Sequence, residues 1–199
     1  MDQFLKNKSL KENNIKVIRE DETLLLILDM QEKLITNIKG NQIIIFNIKK
    51  LIDSCNLLNV RIAFTEQNPS KLGKTLKSIS ENKEYPLFEK MEFSCNKNKN
   101  FIDYLKQYNF KNIIVCGIES HICILQTSLG LLEKGLNILI PRDAIGSRNE
   151  IDNDTAFLRL ISSGAVASTT ESIICELCKT SSRKEFRGIS KILKNSFSN

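Results

Sequence analysis

The 199-residue chain is 41% hydrophobic, with three prolines and no tryptophan, an ordinary globular composition long enough for one well-buried core. Its apolar runs, Thr23–Leu28 and 43–45, are too short to span a bilayer, and the opening MDQFLKNKSLKENN lacks the apolar block of a signal peptide. A soluble cytoplasmic protein is therefore expected, and its net charge of +6 is gathered largely at one end.

In chain order, a polar extension over 1–20 precedes Thr23–Leu28 (TLLLIL), continuously apolar as a central strand buried on both faces should be. The pattern then gives a helix over 41–58 and a second strand over 60–65. Between 68 and 99 it gives a short helix (72–80), a loop and a brief strand at 87–88. A helix starting near Phe101 leads into a strand over 112–116 and a helix over 120–134. Gly135 is placed at the following turn, where a left-handed cap is usual. A strand at 136–140, a helix at 154–163, a short strand at 165–168 and a helix from Thr170 complete the series. Strands alternating with helices, without an internal repeat or a linker, predict one three-layer α/β/α sandwich over 21–180 with a mostly parallel, Rossmann-like sheet.

The remaining tail, 181–199, belongs to a basic stretch: from Lys179 onward, six Lys or Arg face one acid, Glu185. Basic tails can serve nucleic acid or membranes. Here Ile189, Ile192, Leu193 and Phe197 recur at roughly helical spacing, which favours docking on the protein's own body or a neighbouring subunit. Nothing in it resembles an aromatic and basic RNA-binding surface, so nucleic acid is not an expected partner.

Six cysteines lie at 55, 95, 116, 123, 175 and 178, several inside apolar segments, which argues for reduced buried thiols rather than a disulfide framework. Cys175 and Cys178 have redox-motif spacing, but their helical context is expected to put both on one buried face. With a single histidine, His121, little remains from which to build a zinc site.

In open parallel sheets, ligands bind beyond the carboxyl ends of the strands. Those ends carry Asp29, then Glu66, Gln67 and Asn68, then 117–123, then Pro141, Arg142 and Asp143. In CGIESHICILQTS, His121 and Cys123 lie two residues apart, about 200° around a helix, so His121 is badly placed to act as the base of Cys123. A thiol in the first helical turn is expected to have a lowered pKa, although position alone fits a buried core cysteine as well. Asp29 has capping-box spacing with Glu32, so helix capping and a base role both stay open. Arg142 and Asp143 fit a local ion pair.

The segments LLLILDMQ, TEQNPSKLGKT, FEKMEFSC and VCGIESHICILQTSLGLLEKG, followed by PRDAIGSR and LRLISSGAVASTTES, together resemble the isochorismatase-like cysteine hydrolases. That family includes nicotinamidases and N-carbamoylsarcosine amidases, and the resemblance runs from about Leu24 to Leu177. It implies an Asp29–Lys90–Cys123 triad, a cis peptide at Ile118–Glu119, and an oxyanion hole from the N–H groups of Glu119 and Cys123. The implied reaction is hydrolysis of a small amide or related C–N bond through a Cys123 thioester.

TEQNPSKLG contains no histidine, where nicotinamidases carry metal ligands, so neither a metal nor another cofactor is expected. The presence of the cysteine argues against isochorismate. Gln31, Glu66 and Gln67 are candidates for lining the substrate pocket, and the family's habits suggest a homo-oligomer. The rival reading is a non-catalytic scaffold or interaction protein that keeps the fold.

Overall fold

The computed structural model describes residues 17–80 and 85–197. Its centre is a seven-stranded sheet in which every paired neighbour is parallel. β1 (Thr23–Leu28) is buried along its whole length. Its alternation splits the core: Leu25 and Ile27 enter one apolar cluster, whereas Leu24, Leu26 and Leu28 enter the other. A strand with solvent on neither face needs apolar residues at every position, which explains the unbroken TLLLIL.

The chain leaves β1 through α1 (Glu32–Ile35) and α2 (Asn41–Leu57) into β2 (Arg61–Gln67). β2 is longer than the sequence pattern suggests, so Glu66 and Gln67 belong to the strand and not to a loop. The expected helix at 72–80 is instead two single turns, α3 (Pro69–Leu72) and α4 (Lys77–Ser80). Gly73, at φ 81°, breaks the helical path between them, and Thr75 pairs with Gln31 as an isolated antiparallel bridge. β3 (Leu87–Lys90) forms one edge of the sheet and extends two residues beyond its predicted end, as far as Lys90.

α5 (Lys99–Tyr108), capped by the Asn98 side chain, precedes β4 (Asn112–Ile118). A five-residue π turn, Ser120–Ile124, then runs into α6 (Leu125–Glu133). β5 (Asn137–Pro141), the two-residue β6 (Ile145–Gly146), α7 (Glu150–Ser162), β7 (Val166–Ser168), α8 (Thr170–Cys178) and α9 (Phe186–Lys194) follow. β6 was not legible in the sequence; among the described residues it pairs only with the end of β4.

α2, α8 and α9 supply one apolar layer, and α5, α6 and α7 supply the other, giving the α/β/α sandwich. The basic C-terminal segment is docked on this body. Ile189 is fully buried, and Glu20 holds both Lys179 and Arg183. Lys50 donates to the Leu193 and Asn195 carbonyls at 3.3 Å, and the Phe197 ring packs at a tilt against Phe46, 5.6 Å between centroids. No helix among the described residues is long and apolar enough to cross a membrane.

Two local expectations are corrected. Cys175 is exposed while Cys178 is buried, because the inward stripe of α8 runs through Ile173, Ile174, Leu177 and Cys178 and leaves Cys175 at its edge. Arg142 pairs with Asp154 instead of Asp143, whose carboxylate accepts from the N–H and hydroxyl of Thr170 at the start of α8.

Candidate active site

The sheet order β3-β2-β1-β4-β5-β7 reverses direction between β1 and β4. Such a switch point leaves a crevice beyond the strand ends, and the chain enters it from both sides. Asp29 follows β1, and Glu119 to Cys123 follow β4. Close contact here depends on Gly117, at φ 112°: a Cβ at this position would sit 2.1 Å from the Leu28 carbonyl oxygen. Any side chain would push β4 away from the end of β1.

Asp29, Lys90 and Cys123 meet in this crevice, and all three are buried. Lys90 Nζ lies 2.7 Å from Asp29 Oδ2 and 3.5 Å from Cys123 Sγ. The other carboxylate oxygen, Asp29 Oδ1, accepts from the Thr65 hydroxyl at 2.7 Å. The structure therefore gives the Asp29 side chain to Lys90 and Thr65 rather than to a helix cap; α1 has Gln31 at its N-cap position and no side-chain cap bond.

His121 points elsewhere. Its Nδ1 is 3.0 Å from Ser147 Oγ and its Nε2 is 4.0 Å from Asp152, against α7. The π turn that carries both residues satisfies the Glu119 carbonyl with the N–H groups of Ile122 (3.1 Å) and Ile124 (3.2 Å). The Ile118–Glu119 peptide bond is cis. Glu119 directs its own carboxylate outward to the backbone N–H and guanidinium of Arg148, each at 3.1 Å.

Electrostatics overturn the expected thiolate. Burial pushes the Cys123 thiol up from its ordinary value, and the adjacent Asp29 carboxylate adds to this; Lys90 only partly offsets them. For Lys90, burial works to lower the pKa, but the Asp29 carboxylate, through its charge and its hydrogen bond, leads the effects that reverse it, so the ammonium stays charged. The resting site is a thiol beside a carboxylate–ammonium pair. A favourable helix end does not compensate for removing the sulfur from water.

The three expected pocket residues are placed differently. Gln31 is fully buried and spends its amide on the Gln67 backbone, accepting from the N–H at 2.8 Å and donating to the carbonyl at 3.0 Å. It also donates to the Gly73 carbonyl at 2.6 Å. Gln67 accepts from Lys90 Nζ at 2.8 Å. Glu66 alternates with Thr65 and Gln67, so it lies on the opposite face of the sheet and is not brought to Asp29, Lys90 and Cys123. There it binds the N–H and hydroxyl of Thr75 and borders a separate cavity of about 600 Å³ with Phe64, Tyr85 and Leu87.

Two residues escaped sequence reasoning. Thr65 holds Asp29, and strand alternation signalled it, since it shares a face with Gln67. Cys95 is a second buried thiol within electrostatic range of Lys90 and Asp29, pushed up to about 12 by burial with Lys90 opposing. Its backbone N–H donates to Thr127 Oγ1 at 3.2 Å, tying the segment after β3 to α6.

The isochorismatase domain profile matches residues 23–172, three quarters of the chain. The chain belongs to the isochorismatase family. It is 38% identical over 185 residues to isochorismatase family protein 1B of Dictyostelium discoideum, covering 90% of this chain and 89% of that protein. Mouse isochorismatase domain-containing protein 2A is 32% identical, with 89% and 85% covered. Among solved structures, the MAR1 ribonuclease of Caenorhabditis elegans superposes with a TM-score of 0.86 at 35% identity, covering 92% of this chain and 94% of that one.

Proposed function

We propose that this isochorismatase-family protein is a metal-independent cysteine hydrolase that cleaves a small amide or related C–N bond through an Asp29–Lys90–Cys123 triad. One observation carries the reading: a buried ammonium bridges a carboxylate at 2.7 Å and a thiol sulfur at 3.5 Å. A thiol, a base and a fixed cation within bonding distance are the parts that nucleophilic catalysis requires. β2 ends in Glu66 and Gln67 and is followed by Asn68, Pro69 and Ser70, with no histidine to serve as a metal ligand.

In this reading Cys123 Sγ attacks the carbonyl carbon as its proton passes to Asp29. Lys90 offsets the charge that develops on sulfur, and the N–H groups of Glu119 and Cys123 receive the oxyanion. Collapse of the tetrahedral intermediate breaks the C–N bond, and protonated Asp29 supplies the leaving amine with its proton. Water then attacks the thioester with Asp29 as base, releasing the carboxylic acid and restoring the thiol. A cytoplasmic homo-oligomer belongs to the same proposal.

The test is turnover of a panel of small primary and N-substituted amides, with acyl-enzyme captured by hydroxylamine. Cys123→Ala should abolish turnover and capture while keeping the far-UV spectrum. Residual turnover in that variant, or an acyl group mapped to another cysteine, would refute the assignment. Alkylation alone is a poor guide to the nucleophile, because Cys123 is buried. Cys175 is the exposed thiol and will react first, so labelling experiments need a Cys175→Ser background.

A further inference from the structure

We infer that Gln67 is a positioning residue of the triad: its side-chain amide locks the Lys90 ammonium between Asp29 and Cys123. The inference rests on the cysteine-hydrolase reading above and deepens it. A lysine ammonium has three N–H donors on a flexible stem, and nothing in its own chemistry fixes their direction. Here each donor has an acceptor: Asp29 Oδ2 at 2.7 Å, Gln67 Oε1 at 2.8 Å and Cys123 Sγ at 3.5 Å. Gln67 is the one acceptor of the three that takes no part in the proton transfer, so it can hold Lys90 still while charge moves between the other two.

The amide is itself oriented. Gln67 Nε2 donates to the Met91 carbonyl at 2.7 Å, one residue beyond Lys90. Flipping the amide would set its NH₂ against the ammonium and its oxygen against a carbonyl, two repulsions replacing two bonds. The Gln67 backbone is gripped in turn by the buried Gln31 amide, through both its N–H and its carbonyl. Register completes the arrangement, because Gln67 and Lys90 are paired across β2 and β3 and their side chains leave the same face. The Gln31 amide is fully engaged on backbone groups, and Gln67 has its oxygen on Lys90 and an N–H on Met91. Their part is to bring β1, β2 and β3 to one geometry at the nucleophile.

The experiment uses iodoacetamide as the probe, in the full-length Cys175→Ser protein, with Cys123 labelling followed by mass spectrometry across pH. It needs no substrate, so its outcome is separable from that of the amide panel. Gln67→Met keeps the bulk and removes both amide bonds; Lys90 then loses its anchor and the thiolate loses its cation. The labelling profile should move up by about one pH unit, a tenfold slower reaction below the midpoint. Gln67→Glu, a closer isostere should Gln67→Met fold poorly, should also move the profile upward by adding an anion near sulfur. In a Lys90→Met background, Gln67→Met should add nothing, because its action passes through Lys90. Folded Gln67 variants with the parental profile, or a full additional shift in the Lys90→Met background, would overturn the proposal.

Discussion

Replacing Lys90 by methionine tests the centre of the site. The Asp29 and Lys90 side chains are 0% and 1% exposed, so the substitution leaves a carboxylate in the core with Thr65 as its remaining side-chain donor. Removing one member of a fully buried ion pair costs about 3–5 kcal/mol, mostly the penalty of the stranded charge. With a urea slope of about 2 kcal/mol per molar, the midpoint should fall by roughly 2 M. The chain has no tryptophan, so far-UV circular dichroism is the appropriate signal. The double variant Asp29→Asn/Lys90→Met removes both charges and should recover much of the loss, although neither variant should turn over amides. A midpoint shift below about 0.5 M for the single variant, or a double variant no more stable than the single one, would mean that the pair is not desolvated and coupled as described.

Other consequences can be checked independently. Thr65→Val removes the hydroxyl bond to Asp29 at nearly constant shape and should cost about 1.5–3 kcal/mol in urea denaturation, the range for a hydrogen bond to a charged group. Gly117→Ala should yield little soluble protein or lose more than about 4 kcal/mol, since its Cβ would overlap the Leu28 carbonyl and φ is already positive. The thiols of Cys55, Cys95, Cys116 and Cys123 are all raised chiefly by burial above the ordinary 9.0. A raised folded-state pKa contributes stability that is complete below the unfolded value, so the urea midpoint should hold to about pH 9 and fall above it. At the acid end, burial opposes but Lys179 and Arg183 prevail, holding Glu20 at about 2 against an ordinary 4.5. Its contribution is therefore present above pH 4.5 and lost between there and pH 2, so Glu20→Gln should make that acid limb shallower.

The architecture was legible because β1 and β4 are buried on both faces and their composition shows it. The α/β alternation then placed Asp29 and Cys123 at the same edge by topology alone. Lys90 was a different case. It is one of many lysines in the chain, at the end of an edge strand whose other three residues are exposed or half-buried, and only the family resemblance singled it out. Glu66 and Gln67 were read as strand-end polar groups and, with Gln31, as candidates to line the pocket; the structure shows all three side chains bonded within the protein. A polar residue near a crevice looks the same in sequence whether its amide faces a ligand or a backbone. Strand alternation would have sent Glu66 to the other face had the end of β2 been placed two residues later. The thiol's environment was misread for a related reason: the helix-end field is visible in sequence, whereas desolvation and the facing Asp29 carboxylate are not.

A raised thiol pKa is consistent with catalysis once the charges are followed through the proposed step. Before attack, the crevice holds one anion, Asp29, one cation, Lys90, and a neutral thiol. After attack, Asp29 carries the proton and the negative charge rests on the oxyanion. The number of buried charges is unchanged, so no new ion has to be desolvated in the transition state, which would be expensive in so closed a site. A permanent thiolate would place two anions around one ammonium before substrate arrived. Coupling proton transfer to attack avoids that state. Lys90 is then not a source of thiolate at rest but a fixed counter-charge within reach of the negative charge as it leaves the carboxylate through sulfur. That role requires it to stay still, which is what an ammonium with all three donors engaged can do.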